Sequence, residues 1–415
     1  MEESKKPALR FKGFHDDWEQ RKLSDVCSEI GDGLHSAPVY DENGKYYFIN
    51  GNNLVNSKII VNETETKRVS EETFKKNNKN LDDTTILLSI NGTIGNLAYY
   101  NDEMVMLGKS AAYLKVMNIE KKFLYTSLQT SNTINSFMSS LTGTTIKNLG
   151  LEAIKKTQIF MPCEKEQTAI GKYFQNLDNL ITLHQRKYES LVNIKKAMLE
   201  KMFPKNEEVV PELRFAGFTD TWEQRKLGEI ADYKKGPFGS ALKKEIFIPK
   251  SENSVKVYEQ QNAIGKNWKL ERYFITKEYA NELKAFETHG GDILVSCAGT
   301  IGEMYELPDN SEVGVINQAL MRVRVNEKII SKELYKLLFT NMIDDFSKEH
   351  SNGSAMKNIP PFADLKAMNV MLPTLDEQER IGAYFNKLDH LITLHQRELE
   401  KLQNIKKSCL EKMFI

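Results

Sequence analysis

The chain has 415 residues, with 57 basic and 57 acidic side chains, 40% apolar residues and 27% charged ones. That length exceeds one ordinary domain, and the balance is that of folded rather than disordered chains. The missing basic excess argues against a binder that grips nucleic acid by charge alone, but leaves room for one whose partner neutralises phosphates.

Residues 1–10 are charged and lack an apolar signal core, and no run approaches the roughly 20 apolar residues that span a bilayer. Cys27, Cys163, Cys297 and Cys409 lie far apart without a CxxC pair, so free thiols and a cytoplasmic location are expected. The segment Pro7-Ala-Leu-Arg-Phe-Lys-Gly-Phe14 precedes Trp18-Glu-Gln-Arg-Lys-Leu23. Residues 83–90 form an apolar, β-rich run that ends near the turn Gly92-Thr-Ile-Gly95. Gly143-Thr-Thr-Ile-Lys-Asn148 follows, and Phe160-Met-Pro162 closes this first part.

A long helix is predicted next. Ile170, Phe174, Leu177, Ile181, His184, Tyr188 and Leu191 alternate spacings of 4 and 3. The stripe then drifts through Ile194, Met198 and Met202, as a 3.6-residue period does against a heptad. At about 1.5 Å per residue the rod is about 55 Å long, and its single apolar stripe needs a partner. Phe203-Pro204-Lys-Asn-Glu-Glu-Val-Val-Pro211 reads as a linker.

The plan then repeats. Pro211-Glu-Leu-Arg-Phe-Ala-Gly-Phe218, Trp222-Glu-Gln-Arg-Lys-Leu227, Ser296-Cys-Ala-Gly-Thr-Ile-Gly302 and Lys357-Asn358 match the first copy at offsets that creep from 204 to 210. Residues 375–414 match residues 164–203 at 26 of 40 positions, which supplies the partner stripe Ile381, Phe385, Leu388, Ile392, His395 and Leu402. Residues 292–297 and 320–325 read as strands and residues 332–346 as a helix. The fold class is α+β: two tandem mixed α/β domains, 1–162 and 212–373, each followed by a spacer helix, 163–203 and 374–415, with a linker at 204–211. Pairing of the helices as an antiparallel coiled coil would give pseudo-twofold symmetry.

Catalytic signals fail on spacing. Gly108-Lys109-Ser110 resembles the end of a phosphate-binding loop, but Glu103 stands where its first glycine belongs. In Asn358-Ile359-Pro360-Pro361-Phe362 an inserted Ile separates the Asn from the prolines that would form an adenine-holding motif, and no Gly-rich strand-turn-helix precedes it. The seven histidines form no HExxH; His184 and His395 share a stripe position and read as a polar layer fixing helix register. No catalytic residue, metal site or cofactor is assigned.

Recognition chemistry remains. Ser36, Asn52, Asn53, Thr93, Thr144, Thr145, Lys147 and Asn148 in the first copy, and Ser240, Gln260, Gln261, Asn262, Thr300, Ser354, Lys357 and Asn358 in the second, lie on Gly-supported turns. Amides and hydroxyls suit base edges, and lysines suit phosphates, although Gly-Thr and Asn-Asn turns are also ordinary hairpin chemistry. The sharper clue is that residues 37–80 and 241–285 differ greatly while the helices hardly differ.

The whole chain resembles the specificity subunits of type I restriction-modification systems. The resemblance rests on the Trp-Glu-Gln-Arg-Lys-Leu and Gly-Thr-Ile-Gly segments, the Gly-x-x-x-Lys-Asn segments, and Pro162, Glu166, Gln167 and Ile170 with Pro373, Glu377, Gln378 and Ile381. It implies two target-recognition domains, each reading one half of an asymmetric bipartite DNA sequence, and helices that set the gap. It further implies two modification subunits using S-adenosylmethionine to methylate adenine N6, and two restriction subunits using ATP and Mg2+. The rivals are a stand-alone two-site DNA-binding regulator, a methyltransferase with a degenerate motif and a coiled-coil adaptor.

Overall fold

A computed structural model describes residues 6–143, 147–205, 208–349 and 359–415, with 347–349 described through their helical backbone. The chain divides into two compact units, Met1–Lys187 with His395–Ile415, and Tyr188–Leu394. Each unit therefore holds one globular domain, the first part of the long helix that follows it, and the last part of the other long helix. This division differs from the chain-order boundaries because an apolar helical stripe is covered by whichever segment packs on it, regardless of sequence order.

In the first unit, the strands Cys27–Asp32, Ala111–Val116, Thr85–Ser89 and Leu97–Tyr99 lie in that spatial order as an antiparallel sheet. In the second unit, Ala231–Lys235, Leu320–Val325, Ile293–Ser296 and Met304–Glu306 repeat the order. The predicted strands fall on these elements, and residues 332–346 lie within the helix Lys332–Glu349. A second sheet in each unit shares one antiparallel and one parallel pairing, and the second copy adds a strand. It has three strands in the first, Arg68–Val69, Tyr46–Ile49 and Val105–Leu107. It has four in the second, Tyr273–Thr276, Ser254–Tyr258, Gly314–Ile316 and Glu287–Thr288. Both contain one parallel pairing, which the alternation of apolar residues alone does not reveal.

The repeated motifs are joints. Trp18 and Trp222 are buried, and each precedes a strand, Glu19–Lys22 or Glu223–Lys226, that pairs antiparallel with Gln158–Met161 or Asn369–Leu372. Those two later strands lead straight into the long helices, Glu164–Lys201 and Leu375–Lys412, of 38 residues each. At each helix start a fully buried glutamate accepts a bidentate pair from an upstream arginine: Arg10 Nε and Nη2 lie 2.7 Å from the Glu166 carboxylate, as do those of Arg214 from Glu377. The neighbouring glutamine clamps the helix to the domain. Gln167 accepts from the Glu120 N–H at 2.9 Å and donates to the Pro162 carbonyl at 2.8 Å. Gln378 accepts from the Ser331 N–H at 2.9 Å and donates to the Pro373 carbonyl at 2.9 Å. A Cβ on Gly171 would come within 2.5 Å of Glu120 Oε2, and on Gly382 within 2.7 Å of the Glu333 Cβ, so both glycines permit this close approach.

Within the first unit the helical segments run antiparallel: Tyr173 faces Cys409, Asp178 pairs with Lys406 at 2.7 Å, and His184 meets His395. The two imidazole Nδ1 atoms lie 3.1 Å apart, and burial, then His184, then Lys187 lower the His395 pKa. Ile170, Phe174 and Leu177 are buried, Ile181 is half-buried, and Leu402 packs on the same cluster. In the second unit Ile381, Phe385 and Leu388 are buried and Ile392 half-buried, with Leu191 packed on that core and Lys195 2.5 Å from Asp389. The helix ends seat on the tryptophans in the same way, Phe414 edge-on to Trp18 and Phe203 edge-on to Trp222.

Arg10→Met strands the Glu166 carboxylate without its partner, and equilibrium denaturation should register a loss of about 3–5 kcal/mol. The Arg10→Met/Glu166→Met double variant should recover most of it, because the unpaired charge is gone. An equal loss in both variants would contradict this assignment.

Candidate nucleic-acid interface

One end of each antiparallel sheet gathers the turns that carry the candidate residues. In the first unit the loop after Cys27–Asp32 crosses residues 107–111. The Leu34 N–H donates to the Leu107 carbonyl at 2.8 Å and the Gly33 N–H to the Ala111 carbonyl at 3.2 Å. A Cβ on Gly33 would sit 2.2 Å from the Leu107 oxygen, so only glycine allows the crossing. Gly236 repeats it: its N–H donates to the Leu320 carbonyl at 2.9 Å, and a Cβ would sit 1.8 Å from the Asn317 oxygen.

The Gly-Thr-Ile-Gly turns are built alike. The Ser89 hydroxyl donates to the Thr93 carbonyl and accepts from the Asn96 N–H at 3.0 Å, while the Ser296 hydroxyl accepts from the Glu303 N–H at 2.9 Å. Gly92 and Gly299 hold φ of +74° and +70°, which lets the turn reverse tightly. Segment 147–149 joins this end through an Asn91–Asn148 bridge and the Leu149 N–H donating to the Ile90 carbonyl at 2.8 Å. In the second unit the Ile359 N–H donates to the Cys297 carbonyl at 3.4 Å.

The structure sorts the expected residues. Ser36, Asn52, Thr93 and Lys147 are exposed in the first unit, as are Ser240, Gln261 and Thr300 in the second. Asn148 is half-buried in the short strand Asn148–Leu149. Thr144, Thr145, Ser354, Lys357 and Asn358 lie outside the described residues. Asn53 and Asn262 depart from expectation, because their amides close their own turns. Asn53 accepts from the Asn50 N–H and donates to the Ile60 carbonyl, both at 2.9 Å. Asn262 is fully buried, accepts from the Glu259 N–H at 2.9 Å, and donates to the Asn267 and Leu270 carbonyls at 3.0 Å. The Gln260 amide likewise donates to the Ala298 carbonyl at 2.5 Å and the Thr300 carbonyl at 3.3 Å, fastening one turn to the next.

Gly108-Lys109-Ser110 forms a turn in which Ser110 donates to Asn50 Oδ1 at 2.8 Å and accepts from the Gly51 N–H at 2.9 Å. The thiols of Cys27 and Cys297 are pushed up to about 12 by burial. Among the described residues no group of three or more His, Cys, Asp or Glu is placed to hold a metal ion. Nor is any helix among them long and apolar enough to cross a membrane. Sequence reasoning passed over the exposed apolar tips Val39 and Phe238 on the loops that follow Gly33 and Gly236; their signal was a large apolar residue inside a Gly- and Pro-bearing turn.

Comparison with known proteins adds to this geometry. The model of the type I restriction modification DNA specificity domain matches the chain twice, over residues 15–193 and 219–404. The type I restriction enzyme MjaVIII specificity subunit of Methanocaldococcus jannaschii is 26% identical over 427 residues, covering 96% of this chain and 94% of its own length. The crystal structure of a type I restriction-modification system S subunit from M. genitalium superposes with a TM-score of 0.62 at 18% identity, covering 99% of each chain, a likeness of fold.

The sorting of side chains is checked by stability. Asn262→Ala should lower unfolding free energy by about 1–3 kcal/mol, since three backbone groups lose their partner, whereas Gln261→Ala should leave the unfolding midpoint unchanged. Equal behaviour of the two variants would contradict the assignment.

Proposed function

The chain belongs to the type I restriction-modification DNA specificity family, as a specificity subunit with two tandem DNA-recognition domains, and from that premise we propose that each domain reads one half of an asymmetric bipartite DNA target. The observation that carries this reading is the contrast within each unit. The antiparallel sheet, its turns and the helix joint are duplicated, while the second sheet gains the strand Glu287–Thr288 in the second unit only and residues 37–80 and 241–285 differ in sequence. A duplicated frame positions two readers alike, and unlike faces let them read different sequences.

Within this reading the long helices space the two domains and so set the unspecified gap between half-sites. The chain acts as a non-catalytic reader and scaffold. Two modification subunits, with S-adenosylmethionine, flip one adenine in each half-site and methylate its N6, a step that requires taking the base out of the stack. Two restriction subunits, with ATP and Mg2+, translocate and cleave. In Gly108-Lys109-Ser110 the serine hydroxyl is engaged by Asn50 and the Gly51 N–H, while Lys109 faces solvent. The balance of 57 basic and 57 acidic residues makes the isolated chain a weak DNA binder at physiological salt, so its partners complete the grip.

Binding of duplex DNA by the full chain, alone and with modification subunits, tests the proposal. The assembled complex should bind specifically and the chain alone poorly. Lys147→Ala should lower the complex's salt slope by about one, the signature of one lost phosphate contact. Specific binding of equal strength by the chain alone would contradict the scaffold reading.

A further inference from the structure

Among the described residues, the two most exposed large apolar side chains are Phe238, at 89%, and Val39, at 78%; the next, Met104, stands at 60%. Both lie on the same loop of the duplicated frame, the one that follows Gly33 or Gly236 and crosses the neighbouring strand. Their sequences around the tip share little, so common ancestry of the loop does not by itself explain why each puts an apolar residue in water.

Neither tip is a frayed end. Phe238 sits between Pro237, which is buried, and Leu242, which is buried in the core of the second sheet. The Tyr279 hydroxyl donates to the Ala241 carbonyl at 2.6 Å, and the turn Gly239–Ala241 is 3-10 helical. Val39 precedes Tyr40, whose ring packs on Phe48 at 6.0 Å under the Lys67 ammonium at 4.4 Å. Tyr40 also bridges to Val69. Both loops are thus held rigidly by the residues beside the tip while the tip points outward.

We propose that these two tips are apolar wedges that contact DNA bases, Phe238 by stacking against a base step and Val39 by packing on base edges such as a thymine methyl. The inference rests on the reading of the chain as a DNA reader and names groups within that site. At Phe238 three features favour nucleic acid over a protein surface as the occupant. Lys235, Lys243 and Lys244 flank Phe238 and are exposed, outnumbering the adjacent Glu245, so the apolar group is delivered within a cationic rim suited to phosphates. The loop, which itself carries Ser240, packs on the turn before Leu320–Val325, through Gly236 against Asn317 and Gly239 beside the Gln318 side chain. A rigid aromatic gives up little conformational freedom on stacking, and apolar side chains pressed on bases are an established way of contacting and deforming a duplex.

The test uses the full chain assembled with modification subunits and duplexes carrying 2-aminopurine at successive positions of each half-site. Phe238→Ala should weaken binding roughly tenfold or more, within the range for losing one stacked aromatic, and abolish a fluorescence change at one step of one half-site. Phe238→Tyr should restore both. Val39→Ala should produce a smaller loss, confined to the other half-site. Unchanged unfolding midpoints identify the losses as binding effects, since both side chains lie in water. Binding by Phe238→Ala within twofold of wild type would overturn the wedge. So would a loss confined to the capture of modification subunits, which would make the tip a protein contact. Neither outcome touches the broader reading, which falls only if the wild-type complex lacks sequence specificity.

Discussion

A carboxylate buried at the start of each long helix organises the molecule. Glu166 and Glu377 are fully buried, and a charge in that position is tolerable only with a partner of matching geometry. Arg10 and Arg214 supply it with a planar fork that fixes orientation as well as charge. The adjacent Gln167 and Gln378 then tie the helix to the start of a domain helix and to the preceding proline carbonyl. A hydrophobic contact at the same place would hold the helix but permit it to rotate or slide. The bidentate pair and the amide clamp specify direction, and a long helix turns a small angular error at its root into a large displacement at its tip.

Everything downstream depends on that rigid root. The helix emerges from the strand that pairs with the Trp-bearing segment, so the sheet, the tryptophan and the helix form one joint. The same joint occurs in both units, with Phe414 closing it against Trp18 and Phe203 against Trp222. At the far end of each antiparallel sheet the turns are held by serine hydroxyls, glycine crossings and asparagine amides, so side chains that face solvent there do so from a fixed backbone. Such preorganisation lowers the ordering cost of binding and suits a surface that must discriminate among similar sequences.

Much of this was legible in the residues. Repetition exposed the two domains, the 4-and-3 spacing of Ile170 to Leu191 exposed the helices, and the β-rich runs marked the sheet strands. What eluded sequence reasoning had physical causes. The Glu-Gln pair after Pro162 was legible as a repeated motif, but its arginine partner lies 156 residues away and no local pattern links the two. Asn53 and Asn262 resemble base readers because the same amide that suits adenine also closes a backbone turn; only burial and hydrogen bonding separate the two. The second sheets escaped because a parallel pairing joins strands distant in sequence, as Tyr46–Ile49 and Val105–Leu107 are. Phe238 escaped because an aromatic is ordinarily assigned to a core.

That one frame carries two independent readers is tested most directly by an exchange of segments. Residues 241–285 would be replaced by the corresponding segment of another family member, and the chain expressed with its modification subunits. N6-methyladenine would then be mapped across the genome by single-molecule sequencing. One half of a bipartite methylated sequence should change while the other half and the gap between them stay as they were. Simultaneous change of both halves, or methylation at sites without two separated parts, would contradict it.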